Sequence, residues 1–130
     1  MSISAAVATR KSGVDTGDLD LSEVSVRMMP HWMHIALGGS VAAITLGNSI
    51  FVAQDGYEAV VSGKNPGLLV HELVHVDQWR REGRVAFVSR YAIEYARNRL
   101  IGLDHRTAYR AIGFEVAAYD VSERALRDVA

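Results

Sequence analysis

The sequence predicts an α+β fold in which a small sheet or hairpin is followed by a run of helices. The stretch ITLGNSIFV, residues 44–52, places β-rich segments on both sides of Gly47-Asn48, a pair typical of hairpin turns. After Asn65, segments with helical periodicity follow one another and are separated by caps or glycines. The 130 residues suffice for one real hydrophobic core. We therefore expect a small antiparallel sheet or hairpin packed on a helical core.

The first part of the chain has a different composition. Residues 1–24 are rich in Ser, Gly, Asp and small side chains, which predicts a peripheral or flexible N-terminal arm. Residues 25–130 would then form the single folded domain. Within it, MMPHWMHIALGG is ambiguous and favours a short helix after Pro30, and YEAVVSG, residues 57–63, predicts a short third strand.

Caps and terminal glycines predict four helices, over residues 66–82, 84–101, 105–112 and 114–129. The first has the clearest limits, because Asn65 is a good N-cap, Pro66 suits the first helical position and Gly83 suits the end. Asp104 is the expected cap of the third helix, and Gly113 separates it from the fourth.

Composition excludes some functions. The net charge is −1 and 49% of residues are hydrophobic, so the overall charge favours neither nucleic acid nor a membrane. With no cysteine, disulfides and thiolate metal sites are excluded, and without a signal-peptide pattern we expect a cytoplasmic protein. Residues 28–54 contain no Asp, Glu, Lys or Arg, yet their Pro, Gly, His and Asn indicate strands rather than a membrane span.

Charge is unevenly distributed along the chain. Residues 1–79 carry four basic and eight acidic side chains, whereas residues 80–130 carry ten basic and seven acidic ones. Most of the basic excess is arginine between Arg80 and Arg110. This pattern fits solvated helix faces, or alternatively a patch for an acidic partner.

The most informative stretch is LLVHELVHVDQW, residues 68–79. On a helix, His71 and His75 lie about 40° apart and reach one point. Glu72 lies about 100° from His71, too far round to bind that point but close enough to act on something bound there. This is the logic of H-E-x-x-H in zinc hydrolases, where two imidazoles hold the ion and the glutamate handles a water proton.

The helix around this triplet is apolar nearly all round, which predicts burial. Two buried histidines and a glutamate are costly unless something pairs them, and a metal ion would do so. The alternative is a pair of core histidines hydrogen-bonded to the backbone, with Glu72 in an ion pair.

Zinc usually takes a third protein ligand and keeps its fourth position for water in catalytic sites. The downstream candidates are Glu94, Asp104, His105, Glu115, Asp120 and Glu123. Glu115 shares a stripe with Ile112 and Tyr119 on the core-facing side of the last helix, so it is the favoured ligand. The alternative for Glu115 is an ion pair with an arginine. Asp120 as the ligand would turn that stripe to solvent.

These residues resemble the zincin metallopeptidases, in particular the gluzincins, whose third ligand is a glutamate on a later helix. The match is His71, Glu72, His75 and then Glu115. More narrowly, LLVHELVHVDQWRREG and HRTAYRAIGFEVAAY resemble a group of small, poorly characterised bacterial metallopeptidase-like domains with an H-E-L-x-H-x-x-Q-W helix and an A-Y-R-x-I-P-[FL]-E segment. The likeness covers roughly residues 42–122. Gly113 stands where that group tends to have proline, which predicts a looser approach to Glu115.

The resemblance implies a zincin-like core in which a small sheet packs on the active-site helix and its edge binds an extended peptide. It also implies Zn²⁺ held by His71, His75 and Glu115, with Glu72 as the general base of peptide hydrolysis by metal-activated water. Tyr109 and His105 are the nearest candidates in the sequence for a donor that stabilises the oxyanion.

We therefore expect a zinc-dependent metalloendopeptidase that acts on a peptide or protein. One alternative is a catalytically inactive zincin-like binding module. Another is a regulatory protease acting on a DNA-bound repressor, for which residues 80–110 would provide docking. A DNA-binding domain is less favoured, because the arginines alternate with apolar positions and the N-terminal half is acidic.

Overall fold

The computed structural model describes residues 2–129, with side chains through residue 127. Within that part of the chain, four strands and seven helices form an α+β fold, which confirms the predicted class. In chain order they are β1 (Ser2–Ser4), α1 (Ala5–Ser12), β2 (Ser25–Met28), α2 (His31–Ala36), β3 (Ala43–Leu46), β4 (Ser49–Val52), α3 (Gln54–Val61), α4 (Pro66–Glu82), α5 (Arg84–Leu100), α6 (His105–Arg110) and α7 (Gly113–Val129).

The four strands form one mixed sheet in the order β1-β2-β4-β3, which leaves β3 at an edge. β3 and β4 form the expected antiparallel hairpin, which turns at Gly47 and Asn48 with Gly47 at a φ of 63°. β1 and β2 are antiparallel as well, but β2 and β4 run parallel. The sheet is therefore not purely antiparallel, because two N-terminal strands join the predicted hairpin.

The prediction of a peripheral N-terminal arm is wrong for residues 2–12, which form β1 and α1. Ala5 and Ala8 of α1 are fully buried in the same cluster as the central strands. A Cβ atom on Gly63 would come within 2.5 Å of the Lys11 backbone, so this glycine permits a close approach of the loop to α1. Ala5 and Ala8, two of the small residues that suggested a loose segment, are in fact part of the core.

The prediction of a third strand over residues 57–63 is also wrong. Most of this segment lies in α3, where Tyr57 and Val60 are buried three positions apart, the spacing of a helical face. The adjacent valines favour a strand by propensity, but packing against α1 and β2 decides the conformation.

The helices after residue 65 have nearly the predicted limits. α4 covers Pro66–Glu82, and the Asn65 side chain accepts a hydrogen bond from the Leu68 N–H. The Asp104 carboxylate caps α6 through the Thr107 N–H. These limits were predictable because capping depends on residues within one turn of the helix end.

α4 lies between two layers. Leu69, Leu73 and Val76 pack in the cluster formed with the sheet, α1 and α3. Val70 and Val74 pack instead against α7. Burial on both sides accounts for the apolar surface of α4 and holds its side chains in a fixed orientation.

Among the helices of residues 2–129, none combines the length and apolar character needed to cross a membrane. The charge-free run 28–54 is divided among α2, β3 and β4.

Candidate metal centre

His71, His75 and Glu115 converge at the interface of α4 and α7. His71 Nε2 lies 2.9 Å from Glu115 Oε1, and His75 Nε2 lies 3.1 Å from Glu115 Oε2. The two Nε2 atoms are 3.2 Å apart. All three residues are buried, with Glu115 only 2% exposed. No other group of three potential metal ligands occurs among the described residues.

The hydrogen bonds of Gln78 determine the tautomer of His75. The Gln78 side-chain N–H donates to the Phe114 carbonyl at 3.0 Å, so its Oε1 faces His75 Nδ1 at 2.8 Å. Because an amide oxygen only accepts, Nδ1 must carry the proton. A neutral His75 therefore presents the lone pair of Nε2 to the cluster, as a metal ligand does.

These distances fit a cation site. With metal–nitrogen bonds of 2.0–2.1 Å, neighbouring ligand atoms around tetrahedral zinc lie about 3.3 Å apart. The separations here are 2.9 Å from His71 Nε2 to Glu115 Oε1, 3.1 Å from His75 Nε2 to Glu115 Oε2 and 3.2 Å between the two histidine nitrogens. The neutral His75 lone pair and the carboxylate oxygens are acceptors that face one another, so positive charge is needed among them. Two imidazoles and one carboxylate are also a donor set that zinc prefers.

The charge of the cluster agrees with this interpretation. Burial by itself would lower the pKa of His75, but hydrogen bonding to Glu115 and the charges of Glu72 and Glu115 raise it above its ordinary value. Burial would raise the pKa of Glu115, yet its hydrogen bonds with His71 and His75 hold it well below the ordinary value. Together, these pKa shifts favour an ionised Glu115 carboxylate next to a positive charge.

Glu115 is held from several directions. Tyr91 donates its hydroxyl to Glu115 Oε2 at 2.7 Å. Burial, and then this hydrogen bond, raise the pKa of Tyr91, which keeps its hydroxyl protonated. At the start of α7, the Gly113 N–H donates to Glu94 Oε1 at 2.8 Å. The looser approach expected from Gly113 in place of proline is therefore countered, because Glu94 uses the N–H that proline would lack.

Glu72 is buried beside the ligands but makes a different contact. Its Oε2 accepts a hydrogen bond of 2.6 Å from the Thr45 hydroxyl, which comes from the edge strand β3. The Thr45 hydroxyl also lies 3.3 Å from the Glu72 main-chain oxygen. One carboxylate oxygen of Glu72 is thus fixed by Thr45, which leaves Oε1 for another partner.

The two expected oxyanion donors lie in different surroundings. Tyr109 is half-buried, and burial followed by the charges of Glu115 and Glu72 raises its pKa, so its hydroxyl stays protonated next to the cluster. His105 is exposed, and its Nδ1 is hydrogen-bonded to the Tyr95 hydroxyl at 2.8 Å. Both residues line the same cleft as the cluster.

The remaining acidic candidates for the third ligand have other partners or positions. Glu94 binds the start of α7, Asp104 caps α6, and Asp120 pairs with Arg124 on the exposed side of α7. Glu123 is exposed and lines the cleft. The choice of Glu115 over these residues agrees with its position beside both histidines.

The cluster opens into a cleft of about 900 Å³. One wall is formed by residues 40–46, including β3, and most of the rest comes from α4, α5, α6 and α7. Apart from the cluster itself the lining is mostly apolar, with Leu68 and Leu126 as examples. The cleft therefore presents a mostly apolar surface beside the edge strand β3.

The roles of four residues around the cluster were not predicted: Thr45, Gln78, Tyr91 and Glu94, of which Glu94 had been considered only as a third ligand. Gln78 has a local signal, because it lies one helical turn after His75 and belongs to the Q-W pair of the resembling domains. The other three had no such signal, since their partners lie at least 19 positions away in the sequence.

Together, the fold and site define an α+β domain with a buried two-histidine, one-carboxylate cluster at the base of an apolar cleft. The family model for the eCIS core domain matches residues 6–83, which is more than half of the chain, so the chain belongs to this family. The matched region includes α4 and ends before Glu115. The comparisons with curated proteins and with solved structures found no match.

Proposed function

We propose that this protein is a zinc-dependent peptidase of the zincin type. The observation that supports the proposal most strongly is the buried convergence of His71, His75 and Glu115 beside Glu72. The three ligands leave one tetrahedral position open, which is typical of catalytic rather than structural zinc. When bound, the metal supplies a Lewis acid that activates water and polarises a carbonyl group.

The surrounding side chains have complementary roles in this proposal. Glu72 accepts a proton from water through the oxygen that Thr45 leaves free, and then passes it to the leaving amine. Gln78 keeps His75 in the ligand tautomer, and Tyr91 orients Glu115. Tyr109 is the preferred donor to the developing oxyanion, since His105 is occupied by Tyr95.

The proposed substrate is an extended peptide. β3 is an edge strand that lines the cleft, so its unpaired backbone groups are available for a further strand. Because the rest of the lining is mostly apolar, we propose that the peptide carries apolar side chains near the bond that is cleaved.

Metal content tests the site. We expect about one zinc ion per chain, measured by elemental analysis after dialysis, and its loss in the His71→Ala, His75→Ala and Glu115→Gln variants. Asp120→Asn and Glu123→Gln are matched controls that keep the metal, because these acids lie outside the cluster. A metal-free native protein that takes up no added zinc would contradict the proposal.

The Glu72→Gln variant separates binding from chemistry. This change keeps the shape of the side chain but removes the ability to accept a proton. We expect the variant to retain zinc and fold while losing hydrolysis of a fluorogenic peptide library by several orders of magnitude. If the variant loses zinc instead, then Glu72 is a ligand or an essential structural partner. Undiminished hydrolysis would mean that another group is the base.

The alternative function is a zincin-like binding module without catalysis. It is favoured if native zinc-loaded protein cleaves no member of a diverse peptide library but still binds peptides. A regulatory protease acting on a DNA-bound repressor is a further version of the peptidase proposal. It predicts salt-dependent association with the repressor–DNA complex, since the arginines of residues 80–110 would contact phosphates.

The family name refers to a contractile injection system core. We therefore propose that the domain works with such a system, as a component or as a passenger. Immunodetection of the chain in injection particles purified from its host tests this proposal. Particles that lack the chain, from cells that express it, would contradict the association and leave the peptidase proposal unaffected.

A further inference from the structure

The solvent face of α5 has an unusual composition. Seven residues lie within about 120° on the helix, at 100° per residue. All seven are exposed and uncharged: Val85, Ala86, Ser89, Ala92, Ile93, Ala96 and Leu100. We call them the α5 stripe. The exposed fractions of Val85 and Leu100 reach 78% and 88%. Because the outer face of a surface helix normally carries charge, the α5 stripe indicates a surface that is covered by a partner.

Arginines border the α5 stripe on both edges, Arg84 and Arg99 on one and Arg90 and Arg97 on the other. Arg90 pairs with Glu82 and Glu94. The other three arginines make no salt bridge with an acid whose side chain the structure describes, although the charge of Arg97 helps to lower the pKa of Glu94 and that of Arg99 helps to lower the pKa of Asp104. Glu94 is the single acid of α5 and binds the Gly113 N–H. The stripe is therefore an apolar strip between two basic edges.

We propose that the α5 stripe is a docking surface for a protein segment whose apolar helical face is bordered by Asp and Glu. The acids of such a segment would meet the unpaired arginines. Four of the seven residues are small, namely Ala86, Ser89, Ala92 and Ala96, so another helix can approach the stripe closely. α5 has 17 residues and a length of about 25 Å, so the interface with one docked helix is small.

Two other occupants fit less well. A second copy of the chain would bring arginines against arginines when the stripes pair, which is unfavourable. Helices that lie on membranes typically present Trp, Phe or Leu, whereas four of the seven residues of this stripe are alanine or serine. The stripe adjoins the cleft, because Ala92 lines the cleft, but docking on the stripe does not require the metal.

Selection from a displayed library of random peptides tests the inference. Peptides of 17 residues, the length of α5, are selected on the full folded chain. We expect the selected peptides to carry apolar residues at helical spacing with flanking Asp and Glu. Ile93→Glu should weaken their binding at least about tenfold. Val116→Glu is the matched control, because Val116 is 53% exposed on α7 and outside the stripe, and it should leave the affinity unchanged.

The His71→Ala variant should bind the selected peptides as well as the native chain does, so this test does not depend on the peptidase proposal. The inference is overturned if no peptide is selected, if the selected peptides lack acids, or if their binding survives Ile93→Glu. It is also overturned if Ile93→Glu abolishes dimerisation in sedimentation equilibrium or binding to phosphatidylglycerol vesicles. Those results would assign the stripe to a second copy or to a membrane.

Discussion

At the scale of single residues, the cluster depends on side chains that do not belong to it. Gln78 is the clearest case, since one amide group binds both His75 on α4 and the Phe114 carbonyl on α7. The Gln78 oxygen sets the tautomer of the ligand His75. The Gln78 N–H binds the carbonyl of Phe114, the residue directly before the ligand Glu115. Polar side chains that orient metal ligands in this way typically contribute about 10–100-fold to metal affinity.

The Gln78→Met variant should bind zinc about 10–100-fold more weakly than the native protein. Methionine is flexible and fills a similar volume, so the fold should persist while both hydrogen bonds are lost. The affinity is measured by competition with a chromophoric chelator. Gln54→Met is the control, because Gln54 is an exposed amide outside the cluster. Equal zinc affinities for Gln78→Met and native protein would show that His75 needs no help from Gln78.

At the scale of elements, the position of Glu115 depends on how α7 begins. α7 starts at Gly113, two residues before the ligand, and the Gly113 N–H is bound by Glu94 from α5. The hydrogen bond from the Gly113 N–H is the largest of the causes that lower the pKa of Glu94. Burial of Glu94 acts in the opposite direction, and the hydrogen bond from Arg90 lowers the pKa further. A Cβ atom on Gly113 would lie 3.2 Å from Glu94 Oε1, so the glycine also makes room for the cap.

Glu94→Ala should lower the free energy of unfolding by about 1 kcal/mol, the usual effect of losing a helix cap. The same change in a Gly113→Pro background should cost much less, because proline has no N–H to lose and suits the first helical position. Urea denaturation of the four proteins measures this coupling. Glu123→Ala, at an exposed acid, should change stability by less than about 0.5 kcal/mol. Equal costs of Glu94→Ala in both backgrounds would contradict the capping role.

At the scale of the whole molecule, stability is linked to the protonation of the cluster. In the metal-free protein, the lowered pKa of Glu115 contributes stability that is present above the ordinary pKa of a glutamate, 4.5, and is lost as pH falls through the folded pKa. The raised pKa of His75 contributes stability that is present below 6.5 and is lost as pH rises through its folded pKa. Both contributions are present together between pH 4.5 and 6.5.

Stabilisation by zinc increases as pH rises, opposite to the contribution of the His75 pKa, because zinc binds deprotonated histidines. The increase in Tm on adding zinc should therefore grow between about pH 5.5 and about pH 8. Thermal unfolding with a chelator and with zinc at each pH measures this difference. His75→Ala should remove the dependence, since the variant lacks both the raised pKa and the ligand. A zinc-induced increase in Tm that is the same at all these pH values would contradict the linkage.

Local features were determined by the sequence alone. The limits of α4 follow from Asn65 and Gly83, because capping acts within one turn. The convergence of His71 and His75 follows from the helical repeat. Glu115 was predictable as their neighbour because a carboxylate in the centre of an apolar stripe needs a partner.

The tertiary structure alone decided the rest. α1 belongs to the core because the sheet and α3 cover it, and nothing within its own sequence indicates those neighbours. The contact of Thr45 with Glu72 joins residues 27 positions apart, and that of Tyr91 with Glu115 spans 24 positions. Side chains that lie so far apart in the sequence meet only when strands and helices pack together. The periodicity of a helix or strand carries no information about that packing.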